Sequence, residues 1–571
     1  MLFLTILILL TSLLFFYKIT VDPTLNNIEN IFKEKKPKKS GFWLGEPIYI
    51  NNDNWSSSGV PWIQVGAGTE ENPHRIENVT INGNRASTCI RIINSSDYFV
   101  IKNCTLYNSN YDGTLQDSCG IYLYNTDNGT IINNTITKCG IALYMGWSND
   151  NLFEKNKVFN NYHDGLDIMY SLNNDFINNT ILNNTMGINI QRSRFNKFKD
   201  NIIYKNRDLG IRLYSDSRNN TIIRNNISSN GNIGVFIWNS NSNSIRFNDI
   251  IQNDGIGISL EGSYPVNSDN NSIINNYIYN NTGIGIYIED GTDNNINDND
   301  IINNQGDGIE ISLADNTKLM KNTISLNNGA GVRYWKGWNS FIIGNNITYN
   351  IDGIVLGDTG YLLIYNNRFV GNIGDNAFTL NSYCSWDNGS LGNYWDDYDG
   401  ADANEDGIGD TPYTGINGAL AIDHYPIWDD GPGIPIPPFQ YILSSNAGCP
   451  DSDGEFNLTW SGAYAENFTL LTYTSKITVI NNSLSVLANQ TATSPYYINV
   501  LTNGTYYYIL IAYNINGNST SNCLNVSVQI VSVDDDIDDD KDRKIPFEFI
   551  YLAFILTSVT IAKIFINKKR N

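Results

Sequence analysis

One pattern of apolar and polar positions repeats along the middle of the chain, from about Asn134 to Asn372. Each copy reads Asn, any residue, a β-branched or aromatic residue, two variable residues and then Asn, except that Cys139 closes the first copy. Most copies begin 22 to 24 residues after the previous one. The leading asparagines are Asn134, Asn156, Asn179, Asn201, Asn225, Asn248, Asn276, Asn299, Asn322, Asn345 and Asn367. Such regular spacing predicts a solenoid in which every copy supplies one coil.

A Gly-apolar-x-apolar strand follows each phrase, as in Gly210-Ile-Arg-Leu and Gly308-Ile-Glu-Ile. Because strand side chains alternate between faces, we expect the first and third residues after Gly inside and the second and fourth outside. Equal positions then stack at ~4.8 Å, with Ile, Leu and Val filling the interior. Asparagines are expected to stack at the bends, where their backbone tolerates the left-handed αL conformation. The Leu-x-x-Leu-x-Leu framework of leucine-rich repeats is absent. The pattern therefore predicts an all-β, right-handed parallel β-helix over residues 95–390.

Phrases such as Gly165-Leu-Asp-Ile-Met-Tyr-Ser171 resemble the NosD-type right-handed β-helix family. The segment from Gly392-Asn-Tyr-Trp-Asp-Asp-Tyr398 to Asp423-His-Tyr-Pro426 is similar to the tail of those domains. The family is named for a periplasmic copper-associated protein and is related to carbohydrate-binding and sugar-hydrolase β-helices. The resemblance covers about residues 75–430. It implies the fold, while the chemistry stays open because β-helices include lyases, hydrolases, epimerases and binding proteins.

The chain before the solenoid divides by composition. Residues 1–20 are largely apolar and predict a signal peptide or a retained anchor. Residues 21–40 form a basic spacer, and residues 41–94 predict entry strands and a cap. Trp43, Trp55 and Trp62 are candidates to cover the first coil. Residues 391–430 are expected to close the other end.

The C-terminal part predicts a surface protein held by one membrane helix. Residues 431–439 are a Pro/Gly linker, and residues 440–531 resemble a fibronectin type III domain, a β-sandwich. Trp460 is its expected core residue, with Tyr506 or Tyr507 in a tyrosine corner. An acidic tether (532–544), an apolar transmembrane helix (545–566) and a basic cytoplasmic tail (567–571) follow. This order predicts extracellular domains and a cytoplasmic C-terminus.

Charge and cysteine content fit that location. The formal net charge is −22, from 36 basic and 58 acidic residues, and it argues against nucleic acid as a partner. Cys449 and Cys523 bracket the fibronectin-like segment and predict a disulfide. Cys119 and Cys139 each precede a glycine, so they predict either a disulfide between adjacent coils or a reduced ladder. About twenty Asn-x-Ser/Thr sequons predict a glycoprotein, although the repeat phrase itself creates many of them.

The outward positions of the Gly-led strands are the candidate site. Exposed aromatic rings stack on sugars, and charged side chains orient their hydroxyl or carboxylate groups. The predicted ligand-binding residues are Tyr122, Tyr144, Tyr214, Trp238, Glu261, Arg333 and Trp335. The fourth position after a glycine is expected for Tyr144. Catalysis would require a carboxylate pair or a base with a charge stabiliser, and the candidates are His163, Asp164, Asp167, Arg212, Glu289 and Glu310.

Metal chemistry gives two further hypotheses. Asp402, Asn404, Asp406, Ile408 and Asp410 have the spacing that begins an EF-hand calcium loop, although Tyr413 replaces the usual twelfth-position Glu. An acidic turn without metal is the alternative. Copper, implied by the family name, finds little support because His74, His163 and His424 are far apart in sequence and the methionines are single.

The functional prediction is a membrane-anchored surface protein that binds glycans or envelope partners, in adhesion or in a surface layer. One alternative is a carbohydrate-active lyase, hydrolase or epimerase that uses the Gly-led face. A second alternative is copper handling.

Overall fold

The computed structural model describes most of the solenoid and part of the C-terminal domain. The described residues are 43–58, 63–85, 87–109, 118–263, 266–418, 421–428, 442–445, 455–461, 467–474, 477, 484–489, 494, 496–500, 502–514, 517–521 and 524–528. Contact clustering separates residues 30–434 from a second unit that includes residues 435–571.

The first unit is a parallel β-helix of the predicted right-handed type, with about 14 coils. Each coil contributes one strand to each of three 15-stranded sheets. The Gly-led sheet contains Ile48–Asn51, Ile90–Ser95, Cys119–Thr126, Ile141–Gly146, Leu166–Met169, Ile188–Gln191, Ile211–Tyr214, Val235–Trp238, Ile258–Glu261, Ile286–Glu289, Ile309–Ser312, Ala330–Trp335, Asp352–Gly357, Ala377–Leu380 and Asn417–Gly418.

The strands that follow the leading asparagines form a second sheet, which we call the Asn-led sheet. It contains Trp43–Gly45, Val79–Asn82, Thr105–Tyr107, Thr135–Thr137, Lys157–Phe159, Thr180–Leu182, Ile202–Tyr204, Asn226–Ser228, Asp249–Ile251, Tyr277–Tyr279, Asp300–Ile302, Thr323–Ser325, Asn346–Thr348, Arg368–Val370 and Tyr394–Trp395.

The third sheet precedes the Asn-led strand in each coil. It contains Ile63–Gln64, His74–Glu77, Phe99–Lys102, Gly129–Ile132, Leu152–Glu154, Asp175–Ile177, Lys197–Lys199, Thr221–Ile223, Ser244–Arg246, Ser272–Ile274, Asn295–Asn297, Lys318–Met320, Phe341–Ile343, Gly360–Tyr365 and Tyr383–Ser385. Among the described residues, Trp55–Ser58 is the one helical segment, a 3-10 turn.

The interior confirms the predicted ladders. Ile211 and Leu213 are fully buried, as are their equivalents in neighbouring coils. Inside the third sheet, Phe176 stacks on Phe198, and Phe153 packs against Phe176 at a tilt. The leading asparagines are also buried, and each Nδ2 donates to Oδ1 of the next asparagine at 2.8 to 3.2 Å. The same Oδ1 accepts the backbone N–H of the preceding asparagine, as Asn225 does from Asn201 at 2.9 Å. The buried amides of the leading asparagines thereby find hydrogen-bond partners along the axis.

The αL conformation at these bends belongs to the residue before each leading asparagine, and not to the asparagine itself. The residue immediately before each of them has positive φ, for example Asn178 (55°), Asp200 (56°) and Phe247 (57°). The values lie between 53 and 57° except at Gly344, where φ is 68°. An αL residue reverses the chain so that the next side chain turns inward. The asparagine therefore stabilises the bend through the hydrogen bonds of its side-chain amide, and not through its backbone conformation.

Both ends of the β-helix are covered. Trp55 is 1% exposed and stacks on His74 with 4.5 Å between ring centroids, which confirms Trp55 as a covering residue. Trp43 lies in the first Asn-led strand, and Trp62 lies outside the described residues. At the other end the asparagine ladder reaches Asn393, whose backbone N–H donates to Asp423 Oδ2 at 2.7 Å. Trp395 Nε1 donates to the same oxygen at 2.9 Å. A carboxylate suits this last position because it only accepts hydrogen bonds.

The second unit contains two antiparallel sheets. The strands of one are Ile442–Ser445, Glu455–Ser461 and Tyr496–Asn499, and those of the other are Ser485–Ala488, Asn467–Tyr473, Gly504–Asn514, Gly517–Thr520 and Leu524–Val528. Trp460 belongs to their shared apolar cluster, as predicted. Tyr506 donates its hydroxyl to the Thr502 carbonyl at 2.9 Å, the contact of a tyrosine corner. The fibronectin assignment itself stays a prediction.

Several predicted segments lie outside the described residues. They are the signal or anchor, the basic spacer, the linker, the acidic tether, the transmembrane helix and the basic tail. Within the described part of the chain, no helix has the length and apolar character needed to cross a membrane.

Candidate functional site

The candidate site is the outer face of the Gly-led sheet, and glycines shape its border. A Cβ on Gly187 would lie 2.4 Å from the Gly210 carbonyl oxygen and 2.6 Å from Ile203 Cγ2. Only glycine fits this corner, which fixes the register of the strand that follows. The outward residues form two rows along the axis. The second-position row includes Tyr122, Tyr144, Asp167, Asn189, Arg212, Phe236, Ser259, Tyr287, Glu310 and Arg333, and the fourth-position row includes Tyr124, Gly146, Met169, Gln191, Tyr214, Trp238, Glu261, Glu289, Ser312 and Trp335.

The second-position row contains a hydrogen-bonded relay over three coils. Asn189 Nδ2 donates to Asp167 Oδ1 at 3.0 Å, and Arg212 Nε donates to Asn189 Oδ1 at 2.9 Å. Asp164, three residues before Asp167, lies close enough to Asp167 and Arg212 to interact with both electrostatically. The structure therefore brings three predicted catalytic candidates together, and it adds Asn189, which the sequence analysis missed. A polar residue one coil after Asp167 was the available signal.

Burial raises the pKa values of the Asp164 and Asp167 carboxyls toward neutrality. It raises the pKa of Asp164 to about 6, although the nearby Arg212 acts in the opposite direction. Burial, reinforced by the negative charge of Asp164, raises the pKa of Asp167 to about 7. Such carboxyls can hold or release a proton near physiological pH. The imidazole of His163 is exposed on the preceding bend, and no hydrogen bond within the described chain joins it to these carboxyls.

The aromatic residues at the start of this face are less open than predicted. Tyr122 is only 3% exposed because Tyr144 stacks on it at 4.8 Å and Arg91 covers it at 4.7 Å. Tyr122 therefore offers a ligand almost no surface in this structure. Tyr144 pairs with Tyr122 and belongs to the second-position row, not to the fourth as predicted. Counting from Gly140 caused this error, since Ala142 occupies the glycine position of that coil.

Two stacked aromatic pairs remain accessible. Tyr214 and Trp238, both predicted, stack at 4.9 Å in the fourth-position row, and Arg212 lies 5.1 Å from the Tyr214 ring. Trp147 and Tyr170 stack at 4.3 Å with parallel planes on the bend beside that row, and Trp147 is 50% exposed. Arg192 follows in the next coil and covers the Tyr170 ring at 5.4 Å. The sequence analysis missed this second pair because it considered strand positions alone.

Beyond Trp238 the face becomes acidic. Glu261 and Glu289 are direct neighbours in the fourth-position row, and Glu310 follows one coil later in the second-position row. Burial and the charge of Asp307 raise the pKa of Glu310. We call Glu261, Glu289 and Glu310 the acidic end. Glu289 and Glu310, which were predicted as a pair, thus lie in different rows of two neighbouring coils.

Arg333 and Trp335 are less available than predicted. The Arg333 guanidinium forms two hydrogen bonds with Asp307, at 2.5 and 3.1 Å. Trp335 lies flat against Gly357, where a Cβ would come within 1.7 Å of the indole. These two side chains consolidate the sheet, although Trp335 keeps part of its surface exposed. Asp307, which the sequence analysis did not single out, is the residue that engages Arg333.

Comparison with known proteins identifies the family of this β-helix. The model of the family described as periplasmic copper-binding protein (NosD) matches residues 69–164, 120–283 and 261–400, which together span 332 of the 571 residues. The chain belongs to the NosD family. No curated protein matches this NosD-family chain.

Several solved structures are similar to this chain at low identity. A double mutant of the periplasmic alginate epimerase AlgG is 14% identical, with 59% of this chain and 82% of that chain covered and a TM-score of 0.36. The A-module of a mannuronan C-5 epimerase from Azotobacter vinelandii is 13% identical, with 60% and 89% covered and a TM-score of 0.32. The Streptococcus pneumoniae surface protein and adhesin PfbA is 14% identical, with 55% and 88% covered and a TM-score of 0.29. These likenesses concern the β-helix fold alone.

The copper implied by the NosD name does not fit the residues described. Among them, no group of three or more His, Cys, Asp and Glu side chains is arranged to hold a metal ion. His74 is buried against Trp55 and bonded to Asp97 at 3.1 Å, while His424 contacts Asp387 at 3.1 Å. Met145 is fully buried in the core. Two of the three histidines are thus engaged by carboxylates, and Met145 is enclosed in the core, which leaves few of the soft donors that copper favours.

The predicted calcium loop folds around its own backbone. Asp402 accepts N–H groups from Asp406 at 3.2 Å and Gly407 at 2.8 Å, and Asp410 accepts from Ala403 at 2.7 Å. Asn404 Oδ1 accepts from the Asp406 N–H at 3.1 Å. Gly407 has a φ of 83°, the sharp turn expected at the sixth position. The calcium hypothesis stays a prediction.

The cysteine prediction needs one correction. Of the two alternatives for Cys119 and Cys139, the disulfide is wrong, because no disulfide joins them or any other cysteines among the described residues. In the register of the sheet, Cys119 pairs with Ile141, so Cys139 lies two residues away from the position that a disulfide requires. Cys119 packs with Tyr122 on the outside, whereas Cys139 belongs to the interior cluster. Cys449 and Cys523 lie outside the described residues.

Proposed function

We propose that this NosD-family protein binds glycans on the outer face of its Gly-led sheet. The observation that carries the proposal is the pair of accessible aromatic stacks, Trp147 with Tyr170 and Tyr214 with Trp238, on either side of the Asp167–Asn189–Arg212 relay. Aromatic faces bury the apolar face of a sugar ring, and the relay offers donors and acceptors for its hydroxyls. Both features occur on one side of the solenoid.

The parallel coils suit an extended ligand. Neighbouring coils are ~4.8 Å apart, so the two aromatic stacks and the relay present contacts at regular steps along the axis. Side chains held in stacks and hydrogen bonds lose little conformational freedom when a ligand binds. A polysaccharide lying along the axis would therefore meet a preorganised surface.

We further propose a cell-surface location, with adhesion or a surface-layer role. The acidic tether and the apolar segment 545–566 support an anchor with the β-helix outside. Protease treatment of intact cells is the test. Cleavage of the β-helix without cell lysis is expected, and full protection would contradict the proposed topology.

Glycan-array binding of the purified full chain tests the main proposal. Trp238→Ala and Trp147→Ala are expected to weaken binding about tenfold each, as stacking contacts of 1–3 kcal/mol would. Phe341→Ala is the matched control, because Phe341 is an exposed aromatic (39%) on the third sheet. The absence of any glycan ligand, or equal losses with all three variants, would contradict the proposal.

Acid–base catalysis on a glycan is a second candidate. The raised pKa values of Asp164 and Asp167, beside Arg212, favour it. Such a group provides a proton donor or acceptor and a cation to stabilise developing negative charge. Reducing-end release and NMR of glycans incubated with the protein test this candidate. Turnover abolished by Asp167→Asn with binding retained would support catalysis, while unchanged glycans would leave a binding protein.

A further inference from the structure

Basic residues in this acidic protein are concentrated in one stretch of the β-helix. Residues 192–224 contain nine Lys and Arg side chains and three Asp, a net charge of +6 in a chain whose total is −22. The stretch spans little more than one coil and distributes its basic residues over the three sheets and their bends. Two of these cations, Arg192 and Arg212, belong to the part of the molecule that carries the relay and the aromatic stacks.

Acidic neighbours neutralise some of these cations. Asp216 contacts both Arg194 and Arg218. Asp200 pairs with Lys199 at 3.5 Å and with Arg224 at 2.8 Å. These pairs lie on the bend after the Gly-led strand and on the third sheet, away from the relay.

Arg192 and Arg212 are different. Within the described chain, no carboxylate oxygen lies within the 4.0 Å ion-pair distance of either guanidinium. Each is positioned by an aromatic ring, Arg192 by Tyr170 at 5.4 Å and Arg212 by Tyr214 at 5.1 Å. The Tyr170 hydroxyl and Asn189 Oδ1 accept hydrogen bonds from them. Two oriented guanidinium groups in neighbouring coils thus keep donors for an anion.

We define Trp147, Tyr170, Arg192, Arg212, Tyr214 and Trp238 as the basic-aromatic patch. We infer that the patch binds an anionic glycan, whose carboxylate or sulfate groups contact Arg192 and Arg212 while its sugar rings lie on the two aromatic stacks. This inference rests on the proposed function and names the class of its ligand.

The acidic end sets the limit of the bound segment. Glu261 follows Trp238 directly in the fourth-position row, and Glu289 and Glu310 continue along the axis. Carboxylates there repel an anionic chain and favour its placement toward Trp147. A neutral glycan would experience no such boundary.

The test compares matched probes on the purified full chain by calorimetry. Oligogalacturonate is compared with its fully methyl-esterified form, which has the same backbone without charge. Dextran sulfate oligomers and dextran form the sulfate arm and distinguish the two anion chemistries. We expect at least tenfold tighter binding of one acidic probe than of its neutral counterpart, and weaker binding as salt rises.

Variants locate the site. Arg192→Gln and Arg212→Gln are each expected to weaken binding of the acidic probe about tenfold, with an unchanged melting temperature. Arg246→Gln is the control, because Arg246 is an exposed cation on the third sheet. Unchanged affinity in both patch variants would overturn the inference, as would equal affinity for charged and neutral probes. In the latter case the proposed function still stands, whereas failure to bind any glycan on the array would refute that function as well.

Discussion

At the scale of single residues, a buried asparagine does what no apolar residue can do at these bends. Asn201 is 1% exposed, and its Nδ2 donates to the Phe176 carbonyl and to Asn225 Oδ1, both at 2.9 Å. Its own Oδ1 accepts the N–H of Asn179 at 2.9 Å. One side chain thus satisfies backbone groups in the coils on both sides, and each would be costly to leave unpaired.

Asn201→Ala is therefore expected to destabilise the β-helix by roughly 3 kcal/mol, because it leaves buried partners in two coils without hydrogen bonds. Urea denaturation of the full chain measures the change. Asn232→Ala is the control, since Asn232 is exposed and its side chain bonds, within the described part of the chain, to Asp208 alone, at 3.2 Å. A loss within about 0.5 kcal/mol for both variants would contradict this account of the ladder.

The Asp167 carboxyl predicts a pH dependence. Its pKa in the folded protein is raised to about 7 by burial and by Asp164, while the unfolded value is near ~4. The folded state therefore holds a proton that the unfolded state releases, so stability falls as pH rises from ~4 to ~7 and is level above that. Asp167→Asn should reduce this slope relative to the wild type. Parallel slopes for the two proteins in urea melts from pH 4 to 8 would contradict the raised pKa.

At the scale of elements, the fold could be predicted from the sequence, because the repeated apolar pattern of each coil is compatible with a parallel β-helix and not with a helical or leucine-rich repeat. The inward Ile211 and Leu213 and the ladder asparagines were predictable from spacing alone. The burial of Tyr122 was not, because it depends on Tyr144 and Arg91 in neighbouring coils. The register of Cys119 required Ala142 to be recognised in a glycine position. Trp147 and Tyr170 lie on a bend, where the alternation of strand side chains does not indicate which way a side chain points.

The closing loop gives a prediction at this scale. We expect Ca²⁺ to raise the melting temperature of the full chain, with a dissociation constant of about 0.1–1 mM, as in extracellular modules. The affinity should be modest because Asp402 and Asp410 already accept backbone N–H groups. Asp406→Ala should remove the effect. Glu405→Gln, at a position that supplies no ligand in such loops, should retain it, and a melt insensitive to Ca²⁺ would refute the site.

At the scale of the whole molecule, the β-helix is a linear array in which each coil contacts only its neighbours. The same Asn and Gly positions recur in most coils, so coils from the middle of the array have closely similar interiors. The outward rows are not interchangeable, since basic, aromatic and acidic residues occupy different coils. Stability is therefore distributed along the axis, while recognition is local.

Deletion of whole coils separates these two properties. Removing residues 201–224 joins Asp200 to Asn225 and keeps the phrase in register, while it eliminates Arg212 and Tyr214. Removing residues 276–298 joins Asn275 to Asn299 in the same way and eliminates Glu289 instead. Both proteins should keep β-rich circular dichroism and a cooperative melt, because each restores equivalent neighbours in all three sheets.

Only the first deletion should lose binding of the acidic glycan, by tenfold or more. If both deletions unfold the chain, the coils are not interchangeable, and if both fold and bind equally well, recognition does not reside in the basic-aromatic patch.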